Sequence, residues 1–193
     1  MKHLLILAAC LIFFAGYGNA YAGERFSFEI RPGAAISTQN MGDADLDIGF
    51  GFDGNLAYRF LPHLAVYGGW DWHKFSADES FAGSSVDVEE TGYVLGLRFI
   101  HPIGMSAFSY YFRAGATYNH IEIEDDDGNL LGDSDHGIGY EIGGGIVVPV
   151  SDRISLIPGA RYRVLNRDVN VGGSITSVDL NYIAVEVGFL MTF

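Results

Sequence analysis

The stretch that decides the fold is "NYIAVEVGFLMTF", residues 181–193. Read in steps of two, Ile183, Val185, Val187, Phe189, Met191 and Phe193 share one side, which is wholly apolar. Tyr182, Ala184, Glu186, Gly188, Leu190 and Thr192 share the other, which carries a charge among small residues. A period of two belongs to a β-strand, whose side chains alternate between the faces of a sheet.

The same period recurs upstream. Runs at 25–36, 46–60, 64–75, 89–100, 107–121, 138–149 and 154–166 each set an apolar face against one of charges and small residues. In the second, Ile48, Phe50, Phe52, Leu56, Tyr58 and Phe60 oppose Asp47, Gly49, Gly51, Asp53, Asn55, Ala57 and Arg59. The links alternate in length. Those at 61–63, 101–106 and 151–153 are short, while 37–45, 76–88, 122–137 and 167–178 are longer and polar. Eight such runs predict an antiparallel meander with both ends on the short-turn side.

The first residues, "MKHLLILAACLIFFAGYGNAYA", have the layout of a secretory signal peptide with cleavage expected after Ala22. Leu7-Ala8-Ala9-Cys10 is a rival lipoprotein box, but cleavage there leaves an apolar Leu11–Phe14 stretch at the new terminus. The domains expected are therefore a signal peptide at 1–22 and a single β-domain at 23–193. Cys10 is the one cysteine, so that domain has no disulfide framework. A net charge of −13 and the lack of a basic stripe argue against nucleic acid as a partner. No apolar run long enough for a transmembrane helix follows the signal.

The polar face is strange for a solvent face. It is rich in glycine and nearly free of lysine, and glycine on a strand weakens it with no gain in water. Inside a narrow closed barrel, small residues leave room for a few long charged ones. If the apolar face meets lipid, no edge can stay open, because lipid cannot hydrogen-bond the backbone. The expected fold is all-β: a closed eight-stranded antiparallel up-and-down transmembrane β-barrel. Phe26, Tyr58, Phe60, Trp70, Trp72, Phe108, Tyr118, Tyr162 and Phe193 would form interface girdles, and Phe193 can stand last because it sits at a membrane boundary.

Eight strands enclose a space that side chains about fill. The register turns inward Glu29, Asp53, Asp71, Glu90, Glu141 and Glu186, together with Arg31, Arg59, Arg98, Arg113, Arg161 and Arg163. Unpaired buried charge costs several kcal/mol, so this set must pair internally, and arginine suits bidentate carboxylate pairing. Glu141 should lie opposite Arg161 and Arg163. Asp53 should lie opposite Asp71, with Arg31 or another arginine bridging the two.

At this point the chain resembles the small outer-membrane β-barrel family, meaning the OmpA-type transmembrane domain and its OmpX-like and opacity-type relatives. The signal, eight strands, tight turns, four loops and terminal "VEVGFLMTF" carry the resemblance. It implies a Gram-negative outer-membrane location, periplasmic mature termini, and lipid and lipopolysaccharide as surroundings. It also implies that Phe189, Met191 and Phe193 are read by the outer-membrane assembly machinery. No peptidoglycan-binding domain follows Phe193, so the activity of longer members is not implied.

Three function classes follow. The first is a monomeric structural or surface-interaction protein that meets an extracellular ligand through its acidic loops. The second is a narrow channel. The third is a lipid A-modifying enzyme, which the residues do not support. None of His63, His73, His101, His120 and His136 has a serine two positions later, as the deacylase arrangement needs. Ser134, Asp135 and His136 are consecutive in a loop and cannot converge as a triad. His73 and His120 are expected at the rim. No cofactor and no zinc-type spacing is read from the sequence. "IEIEDDDGNLLGDSD", 121–135, reads as a solvated hairpin tip or as a divalent-cation site facing lipopolysaccharide, although its oxygen spacing does not fit an EF-hand.

Overall fold

The computed structural model describes residues 24–193. The expected signal peptide and its expected cleavage point after Ala22 lie outside the described residues.

The chain forms nine strands: β1 (Phe26–Ser37), β2 (Gly49–Leu61), β3 (Leu64–Ser80), β4 (Gly83–Pro102), β5 (Ser109–Asp125), β6 (Leu130–Ser134), β7 (Gly137–Pro149), β8 (Ile154–Val171) and β9 (Ser174–Thr192). All pair antiparallel. Eight of them close a ring, with β1 joining β9 through partners such as Phe28 with Met191 and Ala35 with Ala184. Closure leaves no sheet edge, the condition a sheet must meet in lipid. The short β6 is an extra piece wedged between β5 and β8 above the start of β7.

In the lower barrel the faces are inverted relative to a soluble protein. Phe50, Phe52, Leu95, Leu97, Phe112, Ile142, Val185, Val187 and Phe189 are exposed on the outer wall, while Arg31, Asp53, Asp71, Arg161 and Arg163 are buried. The girdle residues Phe26, Phe60, Trp70, Phe108, Tyr118 and Tyr162 also lie outside.

The strands differ from the sequence reading in length. Much of the segments expected as loops at 76–88 and 167–178 is strand. β3 and β4 are joined by two residues only, and β8 and β9 by Gly172 and Gly173, whose φ values of 56° and 91° a two-residue hairpin turn requires. Alternation continues past the membrane belt, but its chemistry swaps sides. Phe75, Ala77, Val86, Val88, Ile121, Ile123, Leu165, Val169, Val178 and Leu180 now point inward and pack together. Ser76, Asp168 and Asp179 point outward to water. The β1–β2 loop folds over this cluster and contributes Met41, Ala44 and Leu46, held by a Met41–Ala44 bridge. The loop end of the barrel is thus an ordinary soluble-type core stacked on an inside-out one.

Candidate functional site

The lumen below the apolar cap holds six buried carboxylates, Glu29, Asp53, Asp71, Glu90, Glu141 and Glu186. Five buried arginines face them, Arg31, Arg98, Arg113, Arg161 and Arg163, and a sixth, Arg167, is buried higher up.

Two arginines from β8 form the centre. Arg161 grips both oxygens of Asp53 and also donates to Glu186 at 2.6 Å and Glu141 at 3.2 Å. Two residues up the strand, Arg163 donates to both oxygens of Asp71 at 2.6 and 3.0 Å, to Glu141 at 2.7 Å and to Glu90 at 3.0 Å. Asp53 and Asp71 are direct cross-strand partners, as are Glu141 and Arg163. No single arginine bridges the two aspartates. Each has its own guanidinium reaching from the far wall, and Arg161 and Arg163 share Glu141.

Tyrosines complete the lattice. Tyr67 donates to Glu141 at 2.8 Å and its ring lies under the Arg113 guanidinium, which bonds the same oxygen at 2.5 Å. Tyr182 donates to Glu90 at 2.9 Å. Arg31 bonds Glu29 and the Tyr111 hydroxyl, each at 2.8 Å, and Arg98 pairs with Glu29 and Ser27 below. Glycines make the room: a Cβ at Gly159 would collide with the Tyr111 hydroxyl, and one at Gly51 with the His73 ring.

Two residues differ from expectation. Arg59 does not join the lattice. It is exposed at the turn end, where a register shift after it disturbs β2–β3 pairing, and it reaches the Glu24 carbonyl at 2.5 Å. His73 is not at the rim but in the lumen, 2% exposed. Arg161 lies 3.3 Å from its Nε2, and its Nδ1 lies 3.3 Å from Glu90. Since a guanidinium can only donate, Nε2 is the acceptor. Nδ1 is near Glu90 without a hydrogen bond to it, so His73 sits between the Asp53 and Asp71 levels. Arg167, read as a loop residue, is buried and ties Asn119 to the carbonyls of Gly137 and Ile138. Parity would have found Arg167, which continues the Arg161, Arg163, Leu165 series; His73 already shares the face of Asp71, and only its height along the strand differs from expectation.

A vestibule of about 320 Å³ opens at the turn end, lined by Arg25, Ser27, His63, Arg98, Leu190 and others. At the tip of the β5–β6 hairpin, Asp125 accepts hydrogen bonds from the backbone of Asp127 and Asn129 and from the Asn129 side chain. The Asn129 bonds hold its carboxyl below the usual carboxylate range. That carboxylate is tied into its own turn. His120, Glu122 and Asp133 come together on the outer wall nearby.

A family model described as "Outer membrane protein beta-barrel domain" matches residues 6–193. Among solved structures, Neisserial surface protein A is similar with a TM-score of 0.62 at 16% identity, over 89% of this chain and 98% of that one. OprG from Pseudomonas aeruginosa gives 0.60 at 17%, over 88% and 97%. Outer membrane protein W of E. coli gives 0.54 at 14%, over 89% and 100%. These identities speak for a shared fold. No curated protein matches.

Proposed function

Because the chain belongs to the outer membrane protein β-barrel family, we propose that it is a sealed, monomeric, non-enzymatic barrel with a structural and surface-contact role. In this reading the leader is removed after Ala22, both mature termini are periplasmic, and the long hairpins and β1–β2 loop face outward from the cell toward lipopolysaccharide and external ligands. The C-terminal Phe189, Met191 and Phe193 are the residues the assembly machinery reads.

The observation that supports the proposal is a lumen crossed by ion pairs with an apolar cluster stacked above them. The Arg161 and Arg163 lattice crosses the barrel from β8 to β2 and β3, and the Phe75–Leu180 core fills the space above it. An ion would have to break charge-assisted bonds and then cross an apolar layer, where an isolated charge is strongly disfavoured. A protein with no open path through it offers the cell a wall and an outer surface.

Planar-bilayer recording tests this directly. Purified protein is expected to give no conductance steps. Reproducible unitary steps from the wild-type chain would refute the sealed reading and favour the narrow channel. Lipid A from cells with and without the protein is expected to have the same mass spectrum.

A further inference from the structure

The geometry points to a divalent transition-metal site of the zinc type on the outer wall at the loop end, built by His120, Glu122 and Asp133. His120 Nδ1 lies 3.1 Å from an Asp133 oxygen and 3.8 Å from a Glu122 oxygen. One donor atom from each of the three falls within 4.8 Å of the others. Two donors bound at about 2.0–2.1 Å to one tetrahedral ion stand roughly 3.3 Å apart. The two spacings from His120, 3.1 and 3.8 Å, bracket that value.

The sheet sets the spacing in advance. His120 and Glu122 are two apart on β5 and share its outer face, and Asp133 on β6 is the direct cross-strand partner of Glu122. The His136 ring stacks on His120 at 4.4 Å between centroids and fixes the plane of the imidazole. The fourth position faces water.

Charge supplies the second reason. Among the described residues, Glu122 and Asp133 form ion pairs with His120 and with no lysine or arginine. On the adjacent strand Glu122 faces Glu89, and Glu124 faces Asp87. The one cation there, Lys74, is taken by Asp87 and Glu89 at 2.9 and 3.0 Å. Like charges side by side on a sheet face are destabilising, and a bound cation reverses the sign. The lumen offers a contrast. Asp53, His73 and Glu186 come equally close, as do Asp71, His73 and Glu90, but Arg161 and Arg163 already neutralise those carboxylates.

One imidazole with two carboxylates selects zinc, copper or nickel over calcium and magnesium, which prefer all-oxygen shells. The test is isothermal titration of zinc chloride into protein isolated from outer membranes in detergent, without an affinity tag. Wild type is expected to bind one zinc per chain with a Kd of about 1 μM or tighter. H120A and D133N are each expected to weaken binding by about tenfold or more, and H63A, at the opposite end, to leave it unchanged. None of these three positions is in the buried core, and heat-modifiable gel mobility checks that each variant is folded. E122Q serves if either ligand variant is not. Zinc binding unaltered by H120A, D133N and E122Q, or calcium binding as tight as zinc, would overturn the assignment.

Discussion

Replacing Arg163 by methionine tests the lumen lattice most severely. Its guanidinium is fully buried and meets three carboxylates, Asp71, Glu90 and Glu141. Methionine keeps much of the volume and removes the charge. Asp71 then loses its bidentate partner and Glu90 is left with Tyr182, Asn119 and His73. Breaking a buried pair by removing one partner costs about 3–5 kcal/mol, because the uncompensated charge stays buried. That corresponds to roughly two to nearly four powers of ten in the folding equilibrium, at about 1.4 kcal/mol per tenfold. The internal standard is K74M. Lys74 also meets two carboxylates, but its side chain is 24% exposed, and such a pair is worth about 0–1 kcal/mol. Urea unfolding in lipid vesicles, followed by gel mobility and tryptophan emission, reads both. Equal losses for R163M and K74M, or a loss below about 1 kcal/mol for R163M, would refute the view that paired burial governs the lumen.

Trp70 and Trp72, the two tryptophans of the chain, lie on the outer wall, so brominated acyl chains are expected to quench most of the emission and aqueous iodide little of it. Predominant iodide quenching would invert the assigned faces. Gly159→Val drives a side chain into Tyr111 and should cost about 1–3 kcal/mol by overpacking, read in the same urea assay. Partial burial would raise the Asp87 carboxyl, but hydrogen bonds from Ser76 and Lys74 outweigh it and hold it below its ordinary value. A depressed acid contributes stability above its unfolded pKa of about 3.9 and loses it as pH falls through the lower folded value. D87N should therefore be up to about 1 kcal/mol less stable than wild type at neutral pH, and the difference should vanish in acid once the wild-type carboxyl is protonated. Deleting Phe193 should lower the amount of folded barrel recovered from cells while leaving refolding in detergent intact, and equal recovery would count against its role in assembly.

Strand faces were legible because period two survives any choice of solvent. Asp53, Asp71, Glu90, Arg161 and Arg163 all lie on the side parity puts them, and the arginine-for-lysine bias marked a lumen. What parity did not carry was height. The loops at 76–88 and 167–178 were read as polar because the apolar face changes sides near Lys74 and Asn166. A reader following grease on one face sees it stop there and infers a strand end. Arg167 was lost for that reason. Arg59 failed differently: the register shift between Arg59 and Leu61 cannot be seen without the partner strand. His73 had the right parity and the wrong height. The acidic stretch 121–135 hid two separate things, a self-satisfied turn at Asp125 and a convergence of His120, Glu122 and Asp133 that depends on β6 folding back onto β5.

The exchange of sides along single strands has a mechanical consequence. Trp72 is followed two residues on by Lys74, and Tyr118 by His120 and then Glu122, all on the outer wall. Sinking by two residues, about 7 Å along a strand, would draw these ionisable groups toward hydrocarbon, where a lysine costs about 0–1 kcal/mol near the interface and more with depth. Rising by as much would strip acyl chains from Trp72 and Tyr118 and carry the exposed turn-end Arg25, Arg59 and Arg153 toward hydrocarbon. The barrel carries its own waterline, and its immersion depth is fixed by sequence before any neighbour touches it.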